Sequence, residues 1–199
     1  MARPRAFDET TVIHAACDQF RSTGYAGTSL DDLVTATGLA KASIYNAFGN
    51  KHDLYLRAFE SYCTEGVDMV RGDLDGPDES AAQRLQDFIL HMADTTGTAS
   101  SPPIPCFLSK ATAELGALDH EVAAIAQRTF AQLEDILTNC VDAAQRSGAV
   151  SDSRDARATA RHILVALRGM EALAADGVDR TVLEDAARSV TQLTLSAAA

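Results

Sequence analysis

The chain of 199 residues carries 46% hydrophobic and 23% charged residues, enough for a substantial core and too apolar for a disordered chain. Its formal charge of −11 argues against a grip on nucleic acid through bulk positive charge. No apolar run approaches the ~18 residues that span a bilayer, and the opening "MARPRAFDETTV" lacks the apolar stretch of a signal peptide, so a cytoplasmic location is expected.

Many alanines, five prolines and few β-branched runs favour an all-α fold. The periodicity predicts about nine helices. The first runs from about Asp8 to Ser22, with Val12, Ile13, Ala16, Cys17 and Phe20 on one stripe and Gly24 as a left-handed cap. Thr28 is placed to cap a short second helix, with Asp31 three residues on. Gly38 ends it, and a third helix is expected over 40–47, anchored by Leu39, Ile44 and Phe48. Gly49 makes another turn, after which Asn50, with Asp53 at the third helical position, caps a helix from Lys51 to Val70.

The polar "RGDLDGPDES" from Arg71 to Ser80 is the nearest thing to a boundary. Helices are then expected over 81–96, 106–115, 119–147, 155–175 and 180–196, with the irregular Gly97–Pro105 segment between the first two. The resulting division is a unit at 1–50 and a larger helical unit at 51–199, joined by a linking helix at 51–70. Cys17, Cys63, Cys106 and Cys140 form no C-x-x-C pair, which speaks against structural zinc and a disulfide framework. His91, His120 and His162 lack ligand spacing, so no metal is expected. The absence of a Gly-x-Ser-x-Gly elbow, phosphate loop or His-Glu-x-x-His leaves catalysis without support, and nothing calls for a cofactor.

Three short helices turning on a glycine describe a helix-turn-helix, whose last helix enters the major groove of double-stranded DNA. With Ile44 and Phe48 facing inward, Lys41, Ala42, Ser43, Tyr45 and Asn46 occupy the other faces, a set without a carboxylate. The charge is uneven in the direction this needs. Residues 1–60 hold six Lys/Arg against seven Asp/Glu, and residues 61–199 hold eleven against twenty-one. Helix N-termini bind phosphate without net positive charge. Arg3 and Arg5 are either a basic arm for the flanking minor groove or an incidentally charged tail.

Residues 7–62 resemble the N-terminal domain of TetR-type transcriptional regulators. The matching elements are the helix ending in Phe20 with Gly24-Tyr25, Thr28-Ser29-Leu30, Gly38, and Ser43-x-Tyr45-x-x-Phe48-Gly49-x-Lys51-x-x-Leu54. The resemblance implies phosphate contact by Thr28, base or phosphate contacts by Lys41, Ser43 and Asn46, and backbone contacts by Tyr45 and Lys51. It implies a homodimeric repressor on a palindromic operator, released by a small-molecule effector in the C-terminal unit. The alternative is an all-α ligand- or redox-sensing protein acting through protein contacts.

Phe88, Met92, Phe107, Phe130 and Met170 either line an effector cavity or form plain core. Cys106 follows Pro105 at a helix start, with Lys110 four residues on, which makes it a candidate pocket residue and reactive thiol as well as a candidate packing residue. The last two helices carry Leu164, Leu167, Leu183, Ala187, Val190 and Leu193, a surface suited to internal core or to a four-helix interface with a second copy.

Overall fold

The computed structural model describes residues 7–95 and 106–195. Arg3, Arg5 and the Gly97–Pro105 segment lie outside the described residues. Among the described residues, nine α-helices and one 3-10 turn account for the architecture, without a strand. The helices are α1 (Glu9–Gly27), α2 (Leu30–Thr37), α3 (Lys41–Phe48), α4 (Lys51–Leu74), α5 (Ala81–Thr95), α6 (Phe107–Leu115), α7 (His120–Arg146), α8 (Ala156–Ala175) and α9 (Arg180–Leu195), with the 3-10 turn at Asp78–Ser80. The all-α expectation holds. Two helices run further than the sequence suggested. α1 resumes after a break at Gly24, and α4 absorbs the first residues of the polar turn.

The chain forms two compact units, Met1–Glu65 with Pro105–Gln127, and Gly66–Ile104 with Arg128–Ala199. α4 and α7 contribute residues to both. In the first unit Leu33 of α2, Ile44 of α3 and Leu54 of α4 are fully buried, so each short helix is pinned by its apolar side. Beside them sits an aromatic cluster. The Tyr55 ring lies 4.9 Å from Phe20, 5.0 Å from Tyr25 and 5.4 Å from Phe107, edge to face in each case. The Tyr55 hydroxyl is buried and finds no hydrogen-bond partner among the described residues. A buried hydroxyl without a partner is a net cost. Tyr55→Phe is therefore expected to raise stability by about 1 kcal/mol, read as a higher thermal unfolding midpoint; a lower one would show that the hydroxyl is bonded in solution.

In the second unit α5, α8 and α9 pack on one another, and the core holds Phe88, Ile89, Val141, Ile163, Met170 and Leu183 among others. Here the expectation of a partner surface needs correcting. Leu167, Leu183, Ala187 and Val190 are buried in this unit's own core, and Leu164 packs against it half-buried. Of the six residues proposed for a second copy, Leu193 is exposed. The large apolar residues that α8 and α9 turn to solvent are instead Val165, Leu173, Val182 and Leu193. The polar turn is held by Arg84, which donates to the carbonyls of Leu74, Gly76 and Pro77, and by a two-pronged pair between Arg146 and Asp78 at 2.7 and 3.0 Å.

Candidate nucleic-acid interface

α2 begins at Ser29. The Asp32 N–H donates to Ser29 Oγ at 3.2 Å and the Ser29 N–H donates to Asp32 Oδ2 at 2.7 Å, a reciprocal box one residue later than Thr28 and Asp31 suggested. The Ser29 hydroxyl and N–H hold the Asp32 carboxyl below the usual carboxylate range. Gly38, in the left-handed region, returns the Val34 carbonyl bond and turns the chain into α3. α4 starts as expected, with Asn50 Oδ1 accepting from the N–H groups of His52 and Asp53, and the Asn50 N–H donating to Asp53 Oδ2. α3 differs from both neighbours, since Ala40 supplies no side-chain cap. Its first turn thus has a positive end that its own cap residue leaves unneutralised.

Ile44 and Phe48 fix the inner side of α3. Lys41, Ala42, Tyr45 and Asn46 are exposed and Ser43 is half-buried. Tyr45, at 52% exposure, is a large side chain with an apolar ring and a hydroxyl. A cation, a methyl, a phenol and an amide on one short helix suit the mixed donors, acceptors and thymine methyls of a major groove. One neighbour was missed in the sequence. Asp31 of α2 meets Lys41 at 2.7 Å, so a carboxylate stands at the edge of this face. Both partners are more than half exposed, and such a pair is held weakly.

Two expected phosphate contacts are turned inward. Thr28 is 1% exposed, and its hydroxyl donates to the Gly24 carbonyl at 2.6 Å and pairs with Thr23 Oγ1 at 2.7 Å. Lys51 donates to the carbonyls of Tyr25 and Thr28 at 2.8 and 2.9 Å and lies 4.2 Å over the Tyr25 ring. Its charge ties α4 to the segment between α1 and α2. In this geometry neither side chain is presented to a phosphate.

The remaining candidates separate into the two units. Cys106 and Phe107 belong to the first, and Phe88, Met92, Phe130 and Met170 to the second. Phe107, Phe88 and Met170 are buried packing residues, and Phe130 carries the Arg168 guanidinium 5.4 Å over its ring. Cys106 is half-buried at the cap position of α6, where the Tyr62 hydroxyl lies 3.7 Å from its sulfur. Lys110, expected beside that thiol, donates its ammonium to the carbonyls of Arg21 and Ser22. Burial pushes the Cys17 thiol up to about 12 and raises that of Cys140, consistent with packing roles for both.

His52, Asp119 and Glu121 bring potential ligand atoms within 4.8 Å of one another. Asp119 is already committed, with Oδ1 accepting from the N–H groups of Glu121 and Val122 and Oδ2 meeting His52 Nε2 at 2.5 Å. Burial pushes the Asp119 carboxyl up, but these hydrogen bonds outweigh it and hold the group below its ordinary value. The trio reads as a capped helix start joined to α4. The second unit contains a cleft of about 340 Å³ lined by Arg71, Asp75, Arg84, Asn139 and Arg146, with none of the expected pocket residues in its wall. Among the described residues no helix is long and apolar enough to cross a membrane.

Comparison with known proteins agrees with this arrangement. A family model for bacterial regulatory proteins of the tetR family matches residues 12–58. The HTH-type transcriptional regulator YezE of Bacillus subtilis (strain 168) is 30% identical over 164 residues, covering 82% of this chain and 84% of the relative. The HTH-type transcriptional repressor ComR of Escherichia coli (strain K12) is 26% identical over 175 residues, 88% of this chain and 83% of ComR. Among solved structures, a cysteine-substituted TetR-family regulator CifR, determined with a 26-base-pair operator duplex, is 26% identical with a TM-score of 0.71, covering 96% of this chain and 98% of that one. With a relative this similar over four fifths of both sequences and a helix-turn-helix built as described, the chain belongs to the TetR family of DNA-binding transcriptional regulators.

Proposed function

We propose that this regulator is a repressor that binds a palindromic operator as a homodimer through α3, and that a small molecule in the second unit releases it. The observation that carries the reading is the outer face of α3, where Lys41, Ala42, Tyr45 and Asn46 stand exposed on a helix pinned from behind by Ile44 and Phe48. Two such helices related by a two-fold axis would meet half-sites about one helical turn, roughly 34 Å, apart. Support for the second copy comes from Val165, Leu173, Val182 and Leu193, apolar side chains exposed on α8 and α9. The cleft in the second unit has the volume of a small-molecule site, within the usual range of about 300–1,000 Å³. Such a protein works in the cytoplasm and acts by binding rather than turnover.

The test is selection of bound fragments from the source genome by the purified protein, followed by sequencing and measurement of affinity for the recovered site. A palindrome is expected. Asn46 suits adenine through two hydrogen bonds, and a good base contact is worth about 1–3 kcal/mol. Tyr45→Ala with Asn46→Ala should therefore weaken operator binding by about 100-fold or more. Both residues are exposed, so unfolding should be nearly unchanged. Recovery of unrelated fragments, or a double variant that binds like the parent, would refute the assignment of α3.

A further inference from the structure

We propose that Lys110 and Glu114 of α6 are positioning residues for operator binding: they clasp the break in α1 that aims α2 and α3, without themselves touching DNA. The inference rests on the DNA-binding role of α3 and adds where its aim is set.

At Gly24, φ is 80° and ψ is 175°, so the helical bond pattern of α1 is interrupted there. A break leaves carbonyls before it and N–H groups after it without helical partners. α6 supplies both. Lys110 Nζ donates to the Arg21 and Ser22 carbonyls at 3.1 and 2.7 Å. The Glu114 carboxylate accepts from the Tyr25 N–H at 2.8 Å and the Ala26 N–H at 2.7 Å. The two side chains are four residues apart on one helix and so emerge on the same side. The cation meets the carbonyl end and the anion meets the N–H end, each matching the local peptide dipoles. Hydrogen bonds with one charged partner are the stronger kind.

Gly24 is required for this approach. A Cβ there would sit 2.7 Å from Glu114 Oε2 and 3.3 Å from Lys110 Cε, on a backbone conformation that side chains disfavour. Four residues separate the break from the Ser29 cap of α2, and they are held from a second side as well. Lys51 binds the Tyr25 and Thr28 carbonyls, and the Thr28 hydroxyl binds the Gly24 carbonyl. α6 and α4 thus grip one short joint chiefly through its backbone carbonyls and N–H groups. Base-edge hydrogen bonds tolerate only a few tenths of an ångström, so loosening the joint should cost specific recognition first.

The experiment uses the full chain with Lys110→Met, Glu114→Gln and Lys110→Arg, measured on the selected operator and on a random duplex across a salt series. Methionine cannot donate, and glutamine loses the charge and sets an NH2 group against one of the two N–H groups that separate carboxylate oxygens now meet. Each of these two should lose roughly ten-fold or more in operator affinity, the size of a lost charge-assisted bond. Random-duplex binding should stay within about two-fold and the salt slope should be unchanged, because no phosphate contact is removed. Lys110→Arg can still reach the carbonyls and should restore most of the affinity. Parental operator affinity in a folded Glu114→Gln variant would overturn the proposal. So would a salt slope about one unit smaller in Lys110→Met, which would place that ammonium on a phosphate. If a variant does not fold, amide exchange of Tyr25 and Ala26 in the parent decides, since fast exchange at both would show that the clasp is not formed. Failure of the parent to select any operator would remove the DNA reading itself, and is distinguished by being visible before any substitution.

Discussion

Phe107→Ala is expected to destabilise the chain by about 3–5 kcal/mol, the range for a large aromatic residue removed from a packed core. Phe107 is 1% exposed. Its ring centre lies 5.2 Å from Phe59, 5.4 Å from Tyr55, 5.7 Å from Tyr62 and 6.5 Å from Phe20. Those rings come from α1 and α4, so one side chain of α6 joins three helices. Alanine would leave a void that rigid neighbouring rings cannot readily fill. Equilibrium unfolding followed by circular dichroism checks this, with a thermal midpoint roughly 10 °C lower. A residue lining an effector cavity would behave differently, with near-parental stability and an altered effector response, and that outcome would return Phe107 to the role its sequence also allowed.

Gly49→Ala should have the next largest effect, and its cause is local. Gly49 has φ 87° and ψ −126°, a combination open essentially to glycine. A Cβ would lie 2.2 Å from Asp53 Oδ2, the oxygen that accepts the Asn50 N–H and closes the cap of α4. Alanine must therefore strain the backbone, at about 1–3 kcal/mol, and displace a capping group worth about 1 kcal/mol. The loss falls at the joint between α3 and α4. Operator affinity should drop further than stability does, which parallel unfolding and binding measurements on one preparation would show. Equal and small losses in both would mean that the turn relaxes at little cost.

Much of this was legible in the sequence, because its determinants are local. The four-residue spacing of Ile44 and Phe48, and the Asn50–Asp53 cap, involve near neighbours in the chain and were read directly. The cap of α2 was read one residue early. "TSLDD" offers two hydroxyl–carboxylate spacings, and Ser29 is selected because the Thr28 hydroxyl is drawn to the Gly24 carbonyl. The family resemblance places Lys51 on the DNA backbone, and four-residue spacing places Lys110 beside a thiol. Both find backbone carbonyls, which carry no sequence signature, and the partners of Lys110 lie 88 and 89 residues away. For α8 and α9 the sequence left internal core and a partner surface both open, for another reason. α8 is alanine-rich, and both helices also turn apolar side chains to solvent, so periodicity found the stripe on which Leu167, Leu183 and Val190 lie but could not say that it faces the unit's own core.

The contact between Lys41 and Asp31 bears on how such a protein searches a chromosome. In the proposed complex a phosphate must take the ammonium from a carboxylate that already partly neutralises it. The exchange frees fewer condensed ions from the duplex than a bare lysine would. This tax is levied on every stretch of DNA alike, whereas the groove contacts of Tyr45 and Asn46 are collected only at the right one. On the proposed mode of binding, an acidic neighbour beside the lysine would shorten idle residence on bulk DNA and leave more molecules free to find the operator.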